Sequence, residues 1–377
     1  MLTFMRRLPA LVISLAMFFS SALCEEPSGT KSAYPLWDSS ESAADYAKRV
    51  NLPATKTLDL GDDVKLELVL IPAATFTMGT PNPTPVDEES FQKSIVLSGA
   101  LFAASAATLL IMLTAVTIRA IRKKRRPQLS LIRLTVVTLV AGSCVLSGLH
   151  WRKSARGLEQ AKADFAGATA RNRIAKEDEK PAHPVTLTNP YYMGKFVVTQ
   201  EQWQQVTKAK PANFSGNDVE VTGVSWIDAQ AFCRRLSGLS HQSIRLPTEA
   251  EWEHACRAGT TTMCYAGDTE ADLARVAWYD GNSKKMQAHP VGKLIPNAFG
   301  LYDILGDWQW CEDWYGDYSA NASADPQGPA EGEFRAVRGG NSCLFFELSR
   351  SAHRYRFRPD TRQFDIGFRV VADAKTP

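Results

Sequence analysis

Of the side chains able to do chemistry in this 377-residue chain, the seven cysteines offer the widest range. A thiolate can ligate a soft metal, attack an electrophile or close a disulfide, and each use needs a second group at a suitable spacing. Cys343 has no second cysteine near it, so no two-thiolate site can be assembled locally. Cys256 and Cys264 are close enough in sequence to close a small loop, and Cys144 sits in a long apolar stretch. Without partners, the plain reading of such residues is as small buried hydrophobes. The six histidines (His150, His183, His241, His254, His289, His353) show no metal-ligand spacing. His183 and His289 each precede a proline, as residues that open a strand do. There is no Gly-rich phosphate loop and no kinase-type catalytic Asp motif.

The composition, 45% hydrophobic and 22% charged, is that of a globular protein rather than a disordered one. A net charge of +3 conceals a strong asymmetry. Residues 119–133 hold seven basic side chains and no acidic one, and Arg6 and Arg7 add two more. Without these nine the rest of the chain carries −6, which excludes a generally basic surface and nucleic acid as a partner.

The local positive charge finds its explanation in the apolar segments around it. Residues 1–24 read as a secretory signal: Arg6-Arg7, an uncharged apolar run over 8–23, and small residues at Ala22 and Cys24. An uncleaved anchor, or lipidation at Cys24 within a poor lipobox, stays open beside cleavage. Residues 94–118 form a 25-residue run without a charge, enough for a helix to cross a hydrocarbon core of about 30 Å. A second run, 134–149, extends to 129–151 with Arg133 alone inside. These two runs predict a transmembrane helical hairpin over 94–151. The positive-inside rule puts the connector 119–133 in the cytoplasm, and residues 25–93 and 152–377 then share the extracytoplasmic side, periplasmic or extracellular. The partner implied first is therefore the membrane itself.

Past the hairpin, residues 152–180 read as a charged helical stalk, or as a frayed linker. A helix of that length reaches roughly 40 Å. Thr199 with Gln202 predicts a helix through Val206, and Ser225 another in which Ala229, Phe232, Cys233 and Leu236 share one apolar face. Thr248 with Glu251 starts a third, which Gly259 would stop. The remainder is loop-rich, and seven tryptophans between Trp203 and Trp314 predict a core built on indoles.

A series of motifs runs in order along the same stretch. They are Phe76-Thr77-Met78-Gly79, His183-Pro184-Val185-Thr186-Leu187, Tyr192-Met193, Val224-Ser225-Trp226 and Arg245-Leu246-Pro247-Thr248-Glu249-Ala250-Glu251-Trp252-Glu253. Asn297-Ala298-Phe299-Gly300-Leu301-Tyr302-Asp303, Trp310-Cys311-Glu312-Asp313-Trp314, Arg338-Gly339-Gly340, Arg350-Ser351-Ala352 and Gly367-Phe368-Arg369 follow. This order resembles the sulfatase-modifying-factor superfamily, founded on the formylglycine-generating enzyme. The resemblance implies an α+β fold related to C-type lectins, with short strands, few helices and long loops, here carrying an inserted two-helix transmembrane hairpin. The domain is expected in two parts, 60–93 and 181–373, after an N-terminal segment 25–59. Residues 66–78 and 185–192 are expected in one sheet.

The resemblance also implies a chemistry to test. The founding enzyme holds copper(I) with two cysteines near its Arg-Gly-Gly motif and oxidises a sulfatase cysteine to formylglycine. Here those positions fall on Leu344 and Ser349, and Cys343 is the one catalytic candidate left, so copper is not expected. The iron-dependent relatives need three histidines, which this chain does not arrange. Calcium stays open. The family loop reads Asp303-Ile304-Leu305-Gly306-Asp307-Trp308-Gln309-Trp310, one residue short and with Gln for Glu, which fits a weakened site at Asp303, Gly306 and Asp307 or none. Cys233 and Cys256 match positions disulfide-bonded in the vertebrate enzyme, but their partners fall on Val370 and Arg354. Trp308, Arg338, Asn341 and Arg354 map near the family's peptide-binding surface. The plainer reading of Arg338, Arg354 and Arg369, each taken alone, is as ion-pair partners of core carboxylates such as Glu249 and Glu251. The chain is thus expected to be a membrane-anchored extracytoplasmic module that binds a peptide, sulfatase or glycan. The alternative is a formylglycine-generating-type oxidoreductase.

Overall fold

Three helices begin at side-chain caps that the chain carries in its local sequence. In the computed structural model, which describes residues 34–81, 156, 175–211, 216–283, 289–340 and 346–374, α2 (Gln200–Thr207), α3 (Trp226–Ser240) and α4 (Glu249–Arg257) each open on a reciprocal capping box. Thr248 Oγ1 accepts from Glu251 N at 3.1 Å while Glu251 Oε2 accepts from Thr248 N at 2.8 Å. Two of the four free N–H groups at the helix start are satisfied in this way. The apolar face predicted for α3 is buried: Ala229, Phe232, Cys233 and Leu236. The left-handed turn that ends α4 falls on Ala258 (φ 45°), one residue before Gly259 (φ 89°).

A short helix α1 (Ala43–Arg49) precedes strands β1 (Thr55–Asp59), β2 (Lys65–Ile71) and β3 (Ala74–Met78). Beyond the inserted stretch come β4 (His183–Leu187), β5 (Tyr191–Gly194), β6 (Ile244–Arg245), a one-turn helix α5 (Glu270–Leu273), β7 (Trp308–Trp314), β8 (Ser323–Ala324), β9 (Arg335–Arg338), β10 (Tyr355–Phe357), β11 (Ile366–Gly367) and β12 (Val371–Asp373). They form sheets of order β1-β2-β5-β12-β6, β10-β9-β7-β11 and β3-β4-β8. His183 opens β4, and Pro290, after His289, makes a bridge to Val219, as expected of both histidines.

The segments on either side of the insertion do pair, but in two sheets rather than one. β2 joins β5 with Val69 opposite Met193, and β3 joins β4 with Phe76 opposite Val185. The split falls at Pro72 and Pro190, whose missing N–H groups interrupt a continuous ladder on both chains. The domain also begins earlier than residue 60. β1 pairs with β2 along its length, and Tyr46 of α1 is fully buried. At the other boundary, Glu177–Glu179, assigned to the stalk by sequence, forms a 3₁₀ turn whose Glu179 is buried in the domain.

The indole core is present. Trp252 and Trp310 are fully buried, and each indole N–H has an acceptor: Gln309 Oε1 at 3.0 Å and the Val224 carbonyl at 2.9 Å. Cys233, Cys256, Cys264 and Cys311 are free and buried, so the small loop between Cys256 and Cys264 is not closed by a disulfide. Cys256 Sγ faces Ser351 Oγ and Cys264 Sγ faces the Gly267 carbonyl instead. No described helix is long and apolar enough to cross a membrane, and the segments 1–24 and 94–151 lie outside the described residues.

Candidate functional site

Helix α4 presents Glu249, Glu253 and Arg257 at four-residue spacing, one row on one face. Strand β9 and the segment before β10 bring arginines to that row. Arg354 makes a bidentate pair with Glu249 (2.6 and 2.8 Å), and Arg338 pairs with Glu253 and lies 3.5 Å from Glu249. Arg257 Nε donates to Glu253 Oε1 at 2.9 Å. Main-chain carbonyls take further guanidinium donors, Ser351 and Ala352 for Arg338, and Asp178 and Gly316 for Arg354, while Arg338 Nε has no hydrogen-bond partner. Burial disfavours the Glu253 carboxylate, but Arg257 and Arg338 outweigh it and hold the group below the usual carboxylate range.

This geometry settles where the sequence-named arginines lie. Arg338 and Arg354 are in the core, bonded to carboxylates and carbonyls, and neither presents a face to solvent. Their partners are Glu249 and Glu253; Glu251 turns back to cap its helix and to pair with Arg245 (2.6 Å). Arg369 pairs with no carboxylate. It donates to the carbonyls of Gly194, Lys195 and Tyr302 and to Gln309 Oε1.

Over this ionic layer lies an aromatic wall. Trp308, 4% exposed, packs against His353 and Tyr355 with ring centroids 5.4 and 5.5 Å apart, and Tyr355 packs on Phe357 at 5.1 Å. Tyr355 is the member that reaches solvent, at 43% exposure, with Lys176 Nζ 5.8 Å from its ring. His353 is buried with neither ring nitrogen hydrogen-bonded, and burial together with Arg350 holds it neutral, well below the ordinary histidine range. Ser349, expected at the second family cysteine position, is buried with its hydroxyl unpartnered. Cys343, Asn341 and Leu344 lie outside the described residues. The four described thiols are all raised by burial, Cys256 to about 12, so none is a thiolate near neutral pH.

The loop expected to hold calcium is closed by hydrogen bonds of its own. Gln309 is fully buried, and its Nε2 donates to the carbonyls of Asp303 (3.2 Å) and Ile304 (3.3 Å) while its Oε1 accepts from Trp252 and Arg369. Asp303 Oδ2 accepts from Gly292 N at 2.7 Å. Asp307 is hydrogen-bonded to Glu220, which sequence reasoning did not name. Burial first, and then the neighbouring carboxylates, raise both: Asp307 to about 6 and Glu220 well above its ordinary value. Gly306 (φ 114°) serves close packing, since a Cβ there would lie 2.9 Å from the Trp278 carbonyl. At this point of the loop an amide N–H₂ faces two carbonyls that a cation would otherwise draw on, while Asp303 Oδ1 and Glu220 Oε1 are buried without a hydrogen-bond partner. Among the described residues no group of three or more His, Cys, Asp or Glu side chains is placed to hold a metal.

A family model for the sulfatase-modifying factor enzyme 1-like domain matches residues 153–374. Over 171 residues the chain is 34% identical to the formylglycine-generating enzyme of Streptomyces coelicolor, covering 41% of this chain and 52% of that one. Over 235 residues it is 31% identical to the serine/threonine-protein kinase pkn1 of Chlamydia caviae, covering 54% and 36%. The chain thus spans about a third to a half of these relatives' length. Among solved structures, Treponema denticola variable protein 1 superposes with a TM-score of 0.56 at 23% identity, over 85% of this chain and 99% of that one. PvdO from Pseudomonas aeruginosa gives 0.54 at 20% identity, over 84% and 98%. At these identities the two structures establish a shared fold.

Proposed function

This chain belongs to the sulfatase-modifying factor enzyme 1-like family, and from that premise we propose that it is a membrane-anchored extracytoplasmic binding module that has given up copper-dependent oxidation. The anchor is the hairpin 94–151 inserted within the domain, with loop 119–133 cytoplasmic and 1–24 as the export signal. The ligand is an exported peptide, sulfatase or glycan. It would lie against Tyr355, which Trp308 backs, while Arg338 and Arg354 position that wall through Glu249 and Glu253; Asn341 is proposed as a further contact.

The observation that carries the reading is Ser349. A hard, buried hydroxyl stands where a second soft thiolate is required, and no described cysteine is ionised or placed to replace it. Titration of the full chain with Cu(I) is expected to show no stoichiometric tight site. Tight one-to-one binding that disappears in Cys343→Ala would return the protein to the copper oxidases. Phosphoryl transfer has no support here, because the chain contains no Gly-rich phosphate loop.

The loop at Asp303, Gly306 and Asp307 is proposed to work without calcium. Its melting temperature is expected to be the same in calcium and in chelator. Gln309→Glu should lower it, by placing a carboxylate against the Asp303 and Ile304 carbonyls, and calcium should restore part of the loss. A calcium-dependent melting temperature in the unaltered chain would overturn this.

A further inference from the structure

Strand β10, which carries Tyr355, is the outer strand of its sheet. It pairs with β9 on one side, Tyr355 opposite Val337 and Phe357 opposite Arg335, and no described strand lies beyond it. Among the described residues, no main-chain hydrogen bond reaches Tyr355, Arg356 or Phe357 except through that ladder. Successive residues of a strand turn their N–H and C=O groups to opposite sides, so β10 offers part of its main chain outward, as a template for one more strand. Its side chains alternate as well. Tyr355 and Phe357 lie on the face of Trp308 and Trp310, with ring centroids 5.5 and 6.3 Å apart. Arg354, Arg356 and Arg358 form the other row, interleaved with the rings of Tyr315 and Phe334. Arg354 and Arg358 each hold a carboxylate, Glu249 and Glu333. Arg356 between them is exposed, and its partners among the described residues are rings alone, Tyr315 at 4.8 Å and Phe334 at 5.5 Å. Lys176, exposed beside Tyr355, likewise lies against a ring and not an acid.

From this edge we propose that the ligand is an extended acidic polypeptide that adds a strand beside β10, with a carboxylate against Arg356 and β-branched residues against Tyr355 and Phe357. The proposal rests on the binding reading given above and narrows it. The open edge selects a polypeptide, because another main chain supplies N–H and C=O groups at the repeat of the ladder and a glycan does not. Charge selects the sign: Arg356 and Lys176 lack the acids that their neighbours hold, and opposite charges beside one another on adjacent strands stabilise the pair. The exposed aromatic residues select the alternation, since aromatic and β-branched side chains pair well across strands. A second copy of this chain fits poorly, because β10 paired antiparallel about its middle residue sets Arg356 against Arg356.

The test follows the fluorescence anisotropy of a fluorescein-labelled peptide of four Thr-Glu repeats added to the full chain in dodecyl maltoside micelles. Binding is expected, and Arg356→Glu should weaken it about tenfold or more without changing the melting temperature, since that side chain is exposed and makes no hydrogen bond. N-methylation of every peptide amide, which removes the edge donors and keeps each charge, should weaken it as much. Equal binding of the N-methylated peptide, or equal binding by Arg356→Glu, would overturn the added strand. If the Thr-Glu peptide does not bind while a Thr-Lys peptide or labelled chitotetraose binds and is lost in Tyr355→Ala, the proposal fails and the binding reading stands. Failure of all three probes to bind would overturn both.

Discussion

Replacing Glu253 by Ala is expected to cost about 3–5 kcal/mol of folding stability, the range for removing one partner of a buried ion pair. Glu253 is fully buried and serves three donors at once: Arg257, Arg338 and the Gly79 N–H. Its removal strands two guanidinium groups in the core and frees the strand end where the inserted stretch departs. Urea unfolding of the unaltered and Glu253→Ala chains measures the loss. The control is Arg358→Ala, which breaks an exposed pair with Glu333 and should change stability by less than about 1 kcal/mol. A Glu253→Ala loss no larger than the control's would mean that the ionic row contributes little.

The second large effect concerns acid. His254 lies in the core between the rings of Phe76 (5.2 Å) and Phe299 (5.6 Å), and neither ring nitrogen has a hydrogen-bond partner. Burial pushes its pKa down from 6.5 to about 3. Between those values the unfolded chain binds a proton that the folded chain refuses. Stability is therefore intact above about pH 6.5 and falls as the pH drops, by about 1.4 kcal/mol per pH unit for this group. His353, also buried and held neutral, adds to the same limb. His254→Phe should remove about half of the acid sensitivity and, by eliminating two unpaired polar atoms, raise stability near neutral pH by about 1–3 kcal/mol. Chemical denaturation at a series of pH values reads both effects. An unchanged slope below pH 6 would show that the buried imidazole is not the acid-sensitive group.

What could be read in the sequence follows the range of the interactions. Capping boxes at Thr199, Ser225 and Thr248 involve residues three apart, and all three helices start where those signals stand. Prolines 72 and 190 are local signals too, and they divide both chains between two sheets where one was expected. The ionic row was half visible. Glu249, Glu253 and Arg257 repeat every four residues, but the arginines that meet them come from about a hundred residues away, and Glu251, named beside Glu249 as a partner, is claimed by the cap and by Arg245. Burial of Arg338 and Arg354 depends wholly on that long-range pairing, so residues named for a surface became its foundation. The buried Glu220–Asp307 pair has no sequence signature, since nothing local tells a solvated acid from a buried one. The identity of Gln309 was legible and its consequence was not, because the amide's partners, Trp252, Arg369 and the Asp303 carbonyl, are set by the fold.

On the reading proposed above, a domain of this family fold has given up its oxidative centre, with the Ser349 hydroxyl buried and the described thiols raised by burial. The most direct measurement is mass spectrometry of a cysteine-containing sulfatase peptide incubated with the full chain, copper, oxygen and a thiol reductant. The account predicts that the cysteine mass stays unchanged. Conversion to formylglycine, abolished in Cys343→Ala, would contradict it and make the protein an oxidoreductase.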